Sequence, residues 1–476
     1  KGRPSIGILA MVEAFNFGTP TFSFQHSALV EQCVEYFVTQ SSKKVNLFNM
    51  LQHSEDRHQI HHPLSSYINS QHSNDDCCYL IIFQKETWSL WKYKFPIVAK
   101  RLVWYFILKQ LVERNELFAP SLPGTNEGTR TKLKTVDFFL STTKKIDDCV
   151  ILGLLTQLKE RRFYLEDPTG TNVLFFIFFL FSLTLSHTYH RGFITEGSYV
   201  LVEGCYEDLK FHATGVALPP PEPSFESRVL FNNVNTFGGP LEKDIHNCAR
   251  LLKIEKENEH SMIIFLSDVW LDKPEVLEKL QMVLGGYNDF PPVAIVLIGN
   301  FVSKATKYLC AKTLRAKFKE LGELIVKFPN LTAKTKFIIV PGPGDSPHAN
   351  ILPRPPLPNY VTEELTKLVK NCVSTSNPAR IQYCAQEIVI TRENLFSKIA
   401  RASMNIPPKD AHNHFVLTIL SQAHLSPVPL YNSPIYWDWD AALRIYPLPD
   451  VLVLADSIDS FLVKQSGVTV FNPVSK

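Results

Sequence analysis

Three continuous apolar runs constrain this chain more than any other feature. They are Met262-Ile263-Ile264-Phe265-Leu266, Ala294-Ile295-Val296-Leu297-Ile298 and Phe337-Ile338-Ile339-Val340. Pro274 to Leu284 reads as a helix with Pro274 in its first turn, and Ala305 to Val326 reads as a second. Unbroken apolar strands alternating with helices predict an α/β sheet covered on both faces. Ile381 to Ile390, helices near Glu393 to Ala402 and His414 to Ser421, and a strand at Val451 to Leu454 extend the pattern. Ligands of such sheets sit beyond the carboxyl ends of the strands. Here those ends read Ser267-Asp268-Val269-Trp270, Gly299-Asn300-Phe301 and Pro341-Gly342-Pro343-Gly344-Asp345.

The three ends resemble the metal-binding motifs of binuclear metallophosphoesterases, which carry Asp-x-His, Gly-Asp and Gly-Asn-His-Asp at corresponding places. Trp270 stands where the first motif has histidine, Asn300 where the second has the bridging aspartate, and Pro343-Gly344 where the third has Asn-His. A bridging carboxylate holds two cations that position and activate the attacking water. A neutral amide does not supply that charge, and tryptophan does not ligate. The strand near Leu454 continues Ala455-Asp456-Ser457 without the final Gly-His-x-His. Asp268, Asn300, Asp345 and His424 remain as polar residues that could converge on one weak cation. The alternative is that they cap turns and helices, as Asp268 ahead of Asp272-Lys273-Pro274 suggests. The expectation is no metal, no cofactor and no catalytic residue.

Bulk composition sets limits on the rest. The chain has 476 residues, enough for two or three domains, and its net charge of +3 lacks the basic excess of a typical nucleic-acid binder. Nine cysteines include no CxxC pair, so neither a zinc ribbon nor a disulfide framework is indicated, and reduced thiols fit best. The apolar run 173–185 has 13 residues, short of the roughly 20 a spanning helix needs. It sits mid-chain without a signal-peptide layout and interrupts a regular β pattern. It reads as an artefact of the gene model, with a buried strand as the alternative and no membrane anchor in either case.

Residues 1–115 read as a poorly defined, partly helical region, with apolar helical stretches at Ala28 to Phe37 and Val98 to Leu111. The chain begins with Lys1, so the expectation is that its true start is missing. His53, His58, His61, His62 and His72 match no ligand spacing and read as a solvated loop. Residues 130–217 read as a small all-β barrel: Cys149 to Leu155, Arg162 to Asp167, Tyr199 to Gly204 and Leu209 to Ala213 are short strands with a Pro168-Thr169-Gly170 turn. That order suggests an OB-fold, in which Phe163, Tyr164 and Phe211 either stack on single-stranded nucleic acid or fill the barrel. The Pro-rich residues 218–228 read as a stiff linker, and 229–476 as the α/β domain.

Several long strings then carry a family resemblance. Gly342-Pro343-Gly344-Asp345 followed by Leu352-Pro353-Arg354-Pro355-Pro356-Leu357-Pro358 resembles a stretch of the B-family accessory subunits of eukaryotic replicative DNA polymerases. Phe265 to Asp272, Asn377 to Cys384, Thr418 to Leu425, Tyr446 to Asp450 and Leu165 to Gly170 are similar to the epsilon branch. The resemblance covers roughly residues 115–472 apart from the apolar run. It implies an OB-fold packed on an inactivated calcineurin-like phosphoesterase sandwich. It also implies a nuclear, noncatalytic accessory subunit that docks the catalytic subunit's C-terminal zinc-bearing region in replication and repair, and meets DNA through the complex. Other holoenzyme subunits and the replicative helicase assembly are further implied partners. Members begin with a small helical domain and end on a final β stretch past Asn472-Pro473; neither is legible here. The alternatives are an accessory subunit of another replicative polymerase or a metal-dependent phosphoesterase.

A sheet without catalytic ligands needs another use, and a docking surface supplies one. Pro353, Arg354 and Pro355 lie in a rigid, partly apolar loop, and Tyr436, Trp437 and Trp439 in an aromatic-dense stretch. Tyrosine and tryptophan dominate interface energetics. Both segments are candidates for the partner interface, with the aromatics as ordinary core the competing reading.

Overall fold

The computed structural model describes residues 80–83, 97–114, 133–159, 162–168, 188–189, 192–207, 210–230, 235, 237, 245–303, 310–345, 351–404, 407 and 409–473. The histidine-rich tract, the helix expected at Ala28 to Phe37 and the apolar run 173–185 lie outside these residues. Among the described residues no helix is long and apolar enough to cross a membrane.

Along the chain come β1 (Leu80–Phe83), a helix at Ile97–Arg114, and then six strands of one sheet. These are β2 (Leu133–Lys134), β3 (Ile146–Lys159), β4 (Arg162–Glu166), β5 (Thr188–Tyr189), β6 (Tyr199–Glu207) and β7 (Lys210–Ala217). β3 pairs antiparallel with β4 and β6, β6 with β7, and β7 meets β5 in parallel. The alternating side chains of β3 explain its apolar run from Cys149 to Leu155. Cys149, Ile151 and Leu155 join Tyr206 and Phe211 in the sheet's own core, while Val150, Leu152 and Leu154 face the other way into a second core. Gly153 on the first face permits a close approach of β4, because a Cβ there would stand 2.6 Å from Leu165 Cγ and 2.9 Å from Glu166 O.

The second core is shared. Trp104, Tyr105 and Leu108 of the helix Ile97–Arg114 pack in it with Val150, Leu152 and Tyr199, and with Leu395, Phe415, Ile419 and Leu452 from the C-terminal half. The helical stretch expected at Val98 to Leu111 is therefore an internal support of both halves.

The C-terminal half holds two sheets. β8 (Ile263–Ser267), β9 (Ala294–Ile298), β10 (Lys336–Val340) and β11 (Cys372–Ser374) form an all-parallel sheet in the order β11-β10-β9-β8. β12 (Ala379–Tyr383), β13 (Gln386–Arg392), β14 (Val451–Ala455), β15 (Phe461–Gln465) and β16 (Val468–Asn472) join β1 in the order β1-β12-β13-β14-β16-β15. Val296, Ile298, Ile338 and Val340 of the first sheet face Ile381, Ile388, Ile390 and Val453 of the second across one apolar layer. Helices cover the outer faces: Pro274–Tyr287 and Cys310–Val326 on the parallel sheet, Leu395–Ala402 and Ala411–Gln422 on the other.

The three motif-bearing strands and the helix opened by Pro274 stand where the sequence placed them. Two readings change. Ile381 to Ile390 is a tight hairpin of β12 and β13, since Cys384 takes a positive φ of 48° and turns the chain. The proline-rich linker is anchored: Glu222 is buried and accepts hydrogen bonds from Ser227 Oγ (2.6 Å) and Tyr446 Oη (2.9 Å), and a helix starts at Ser224.

Candidate functional site

The ends of β8, β9, β10, β13 and β14 converge on one buried polar cluster. Asp268 follows β8 in a left-handed conformation (φ 51°), which turns its carboxylate under the neighbouring strand. Its Oδ1 accepts from the backbone N–H of Asn300 at 2.9 Å. Arg392, the last residue of β13, approaches from the facing sheet: Nη2 donates to Asp268 Oδ1 at 2.9 Å and Oδ2 at 3.1 Å. Nε of the same guanidinium donates to Gly299 O at 2.9 Å, and Nη1 to Asn394 Oδ1 at 2.8 Å. Both side chains are buried, at 2% and 5% exposure. This pairing corrects the expectation that Asp268 caps its own local turn. Asp272 likewise reaches across to the next loop, accepting from the backbone N–H (2.9 Å) and hydroxyl (2.6 Å) of Ser303.

Asp345 lies beside this pair with both oxygens taken by backbone donors, Phe301 N–H at 2.7 Å and Gly342 N–H at 2.8 Å. Burial pushes its carboxyl up to about 6 against those two bonds and the pull of Arg392. Asn300 points its Oδ1 at Gly344 N–H, 2.7 Å away, so the amide ties two motif loops together. Gly299 allows the closeness, because a Cβ there would lie 1.8 Å from Asp345 Oδ2. Asp456, after β14, spends its oxygens on the N–H groups of Phe396 (2.8 Å) and Ser457 (2.6 Å). Trp270 is half-buried with Lys273 Nζ 4.5 Å from its ring centroid.

His424 does not join the cluster. Its Nδ1 accepts from Ser426 N–H at 3.0 Å, leaving Nε2–H to donate to Asp440 at 3.2 Å. Burial, with Arg444 next to it, pushes the imidazole's pKa down, while Arg444 and the hydrogen bond from His424 hold the Asp440 carboxyl well below its usual range despite burial. The convergence expected of Asp268, Asn300, Asp345 and His424 therefore holds for the first three only. Those three do not fit a metal ion: each side-chain oxygen already accepts from a backbone donor or a guanidinium. Among the described residues no group of three or more His, Cys, Asp or Glu has a metal-holding arrangement. Arg392 was missed from the sequence, where an arginine ending a strand carries no signal of its partner across the sandwich.

The interface candidates separate in the same way. Arg354 is only 2% exposed and pairs with Glu393, with its Nη1 also donating to Arg392 O at 3.2 Å. It is an internal residue, which corrects its assignment to the partner surface. Pro353 is half-buried and Pro355 exposed. Leu352 bridges to Ile435, and Tyr436 N–H donates to Leu352 O at 2.7 Å, so the proline loop and the aromatic stretch lie side by side. Tyr436 is 47% and Trp439 53% exposed, Tyr431 is 74% exposed, and Trp437 is half-buried. The reading of Tyr436 and Trp439 as ordinary core does not hold. In the barrel-like sheet the opposite occurs: Tyr164 and Phe211 are buried, Phe211 packs in the sheet's core against Phe139 at 5.8 Å, and Phe163 packs on the same core.

Comparison with known proteins gives this geometry a family. A model of the DNA polymerase alpha/epsilon B-subunit family matches residues 263–463, and one of the OB-fold domain of DNA polymerase epsilon subunit 2-like proteins matches 97–220. The chain is 44% identical over 377 residues to DNA polymerase epsilon subunit 2 of Homo sapiens, covering 78% of this chain and 70% of that one. The chain belongs to the DNA polymerase alpha/epsilon B-subunit family. DNA polymerase epsilon subunit 2 of Mus musculus is 42% identical, over 78% of this chain and 70% of its own. That of Drosophila melanogaster is 39% identical, over 77% and 69%. As a member of this polymerase family the chain carries its buried cluster inside the first matched segment, and the OB-fold match starts at the helix that props both halves.

Proposed function

We propose that this chain is the noncatalytic second subunit of DNA polymerase epsilon, binding and stabilising the catalytic subunit in chromosomal replication and repair. Family membership and the names of the relatives support the complex. The facing sheets are read as a calcineurin-like phosphoesterase sandwich whose site is closed. One observation carries the noncatalytic reading: the Asp268 carboxylate, the acid left on the first motif, is held by the Arg392 guanidinium at 2.9 Å. A buried carboxylate already neutralised by a fixed guanidinium is a poor ligand for a metal ion, and a two-metal hydrolysis needs acidic ligands free to bind.

The docking surface is assigned to Pro355, Tyr436 and Trp439, with Tyr431 added, facing the C-terminal zinc-bearing region of the catalytic subunit. DNA is met through the complex, in the nucleus. Exposed aromatic side chains beside a rigid proline loop support this, since such residues anchor interfaces. The test is co-purification of the catalytic subunit's C-terminal region with the full chain carrying Tyr436→Ala and Trp439→Ala. Retention falls at least tenfold on the proposal. Undiminished retention by a folded variant defeats the assigned surface. A phosphodiesterase assay with manganese tests the competing enzyme reading: turnover abolished by Asp268→Ala would establish it. The alpha-type accessory reading shares the family model but not the epsilon names of the relatives.

A further inference from the structure

The Asp268–Arg392 pair does something that saturation of the carboxylate alone does not require. One guanidinium touches four strand ends belonging to two different sheets. It belongs to β13, reaches Asp268 after β8 and Gly299 O after β9, and lies 3.5 Å from Ala455 O at the end of β14. The backbone carbonyl of Arg392 accepts from Arg354 Nη1 and from Asn377 Nδ2, at 3.2 and 2.7 Å, so the residue carrying the charge is itself held in place. Asp345 and Asp456 lie within its electrostatic influence: burial pushes each carboxyl up, and Arg392 pulls against that rise.

We propose that Arg392 is the resident cation of this pocket: it replaces the metal that the fold family implies, and locks the C-terminal ends of the two sheets together without any ion from solution. The inference rests on the reading of the domain as a closed phosphoesterase sandwich. The chemistry suits the role. A guanidinium stays charged at any physiological pH, and its planar fork grips a carboxylate through two parallel bonds. A covalently attached cation also does not exchange with solvent. The consequence is a surface at these strand ends whose shape is independent of divalent-metal concentration and of chelators.

A mutant cycle on the full chain tests it. Arg392→Met removes the charge while keeping an unbranched chain, Asp268→Asn removes the opposing charge, and the double variant removes both. Breaking a buried pair from one side leaves an uncompensated charge, so Arg392→Met melts roughly 5–10 °C below the wild type. The double variant then recovers part of that loss, because the stranded carboxylate is gone as well. Arg392→Lys, which keeps charge but not the fork, falls between wild type and Arg392→Met. The wild type melts at one temperature with or without EDTA and with or without millimolar manganese. An additive cycle means that Arg392 serves packing alone and sinks the proposal. So does a wild type whose melting temperature rises with manganese in a manner that Asp268→Asn abolishes. Neither result bears on co-purification with the catalytic subunit, which tests the accessory-subunit reading separately.

Discussion

Gln422 makes both of its amide hydrogen bonds to the backbone of Tyr199: Oε1 accepts from Tyr199 N–H and Nε2 donates to Tyr199 O, each at 2.9 Å. The glutamine ends the helix Ala411–Gln422, and the tyrosine opens β6. A side chain of one half thus completes a backbone pairing of the other. Gly192 N–H to His414 Nδ1 (2.7 Å) and Phe193 N–H to Thr418 Oγ1 (2.8 Å) continue the seam along the same helix.

Gln422→Ala removes two buried hydrogen bonds to the Tyr199 backbone, a cost of about 2–5 kcal/mol. The expected outcome is loss of hydrogen-exchange protection at the Tyr199 amide and a lower denaturant midpoint. Unchanged protection would mean that the seam is held by its apolar contacts alone.

Gly299→Ala is expected to be severe. Its Cβ would overlap Asp345 Oδ2 at 1.8 Å and approach Gly342 N at 2.6 Å, where backbone leaves little room to move. Overpacking costs typically about 1–3 kcal/mol, and here it also threatens two hydrogen bonds to Asp345. Thermal denaturation of the purified variant checks this; Gly286→Ala, where a Cβ meets nothing within 4 Å, is the control.

Stability should depend on pH through Glu387. Burial pushes its carboxyl up to about 7, against the pull of Arg228, while Asp450 pushes it further up and His246 draws it down. A carboxyl whose pKa is higher folded than unfolded holds its proton more tightly in the native state. Its contribution is fully present below the unfolded value of about 4.5 and is lost as pH rises through about 7. Glu387→Gln should flatten the stability–pH curve across that window relative to wild type, by on the order of 2 kcal/mol. Denaturant titrations at about pH 4 and about pH 8, the two sides of the window, make the comparison.

Phe211→Ala empties a packed position between Phe139 and the strands, for a loss of about 3–5 kcal/mol. The expected readout is a lower melting temperature. A variant that instead keeps its stability and loses single-stranded DNA retention at low salt would restore the stacking role.

Much of the fold was legible because each half repeats a local rule. Ile295, Val296 and Leu297 read as a strand buried on both faces, and the structure buries them between helices and a second sheet. The motif positions Asp268, Asn300 and Asp345 were legible because loops at parallel strand ends must converge. Arg392, Glu387 and Gln422 were not legible. Their partners lie 124, 159 and 223 residues away, and nothing local distinguishes a paired arginine from a solvated one. Arg354 misled for the same reason: the charge in a proline loop reads as surface until Glu393 is seen beside it.

The strands, the order of the two halves and the polar residues at the strand ends could be read from the sequence, because periodicity and residue chemistry are properties of neighbouring positions. How Asp268, Asn300 and Asp345 are satisfied, which aromatics face solvent and how the halves are joined emerged with the folded chain. Charge pairing and burial depend on residues far apart in the chain, and their energies exist only once the two sheets are in place.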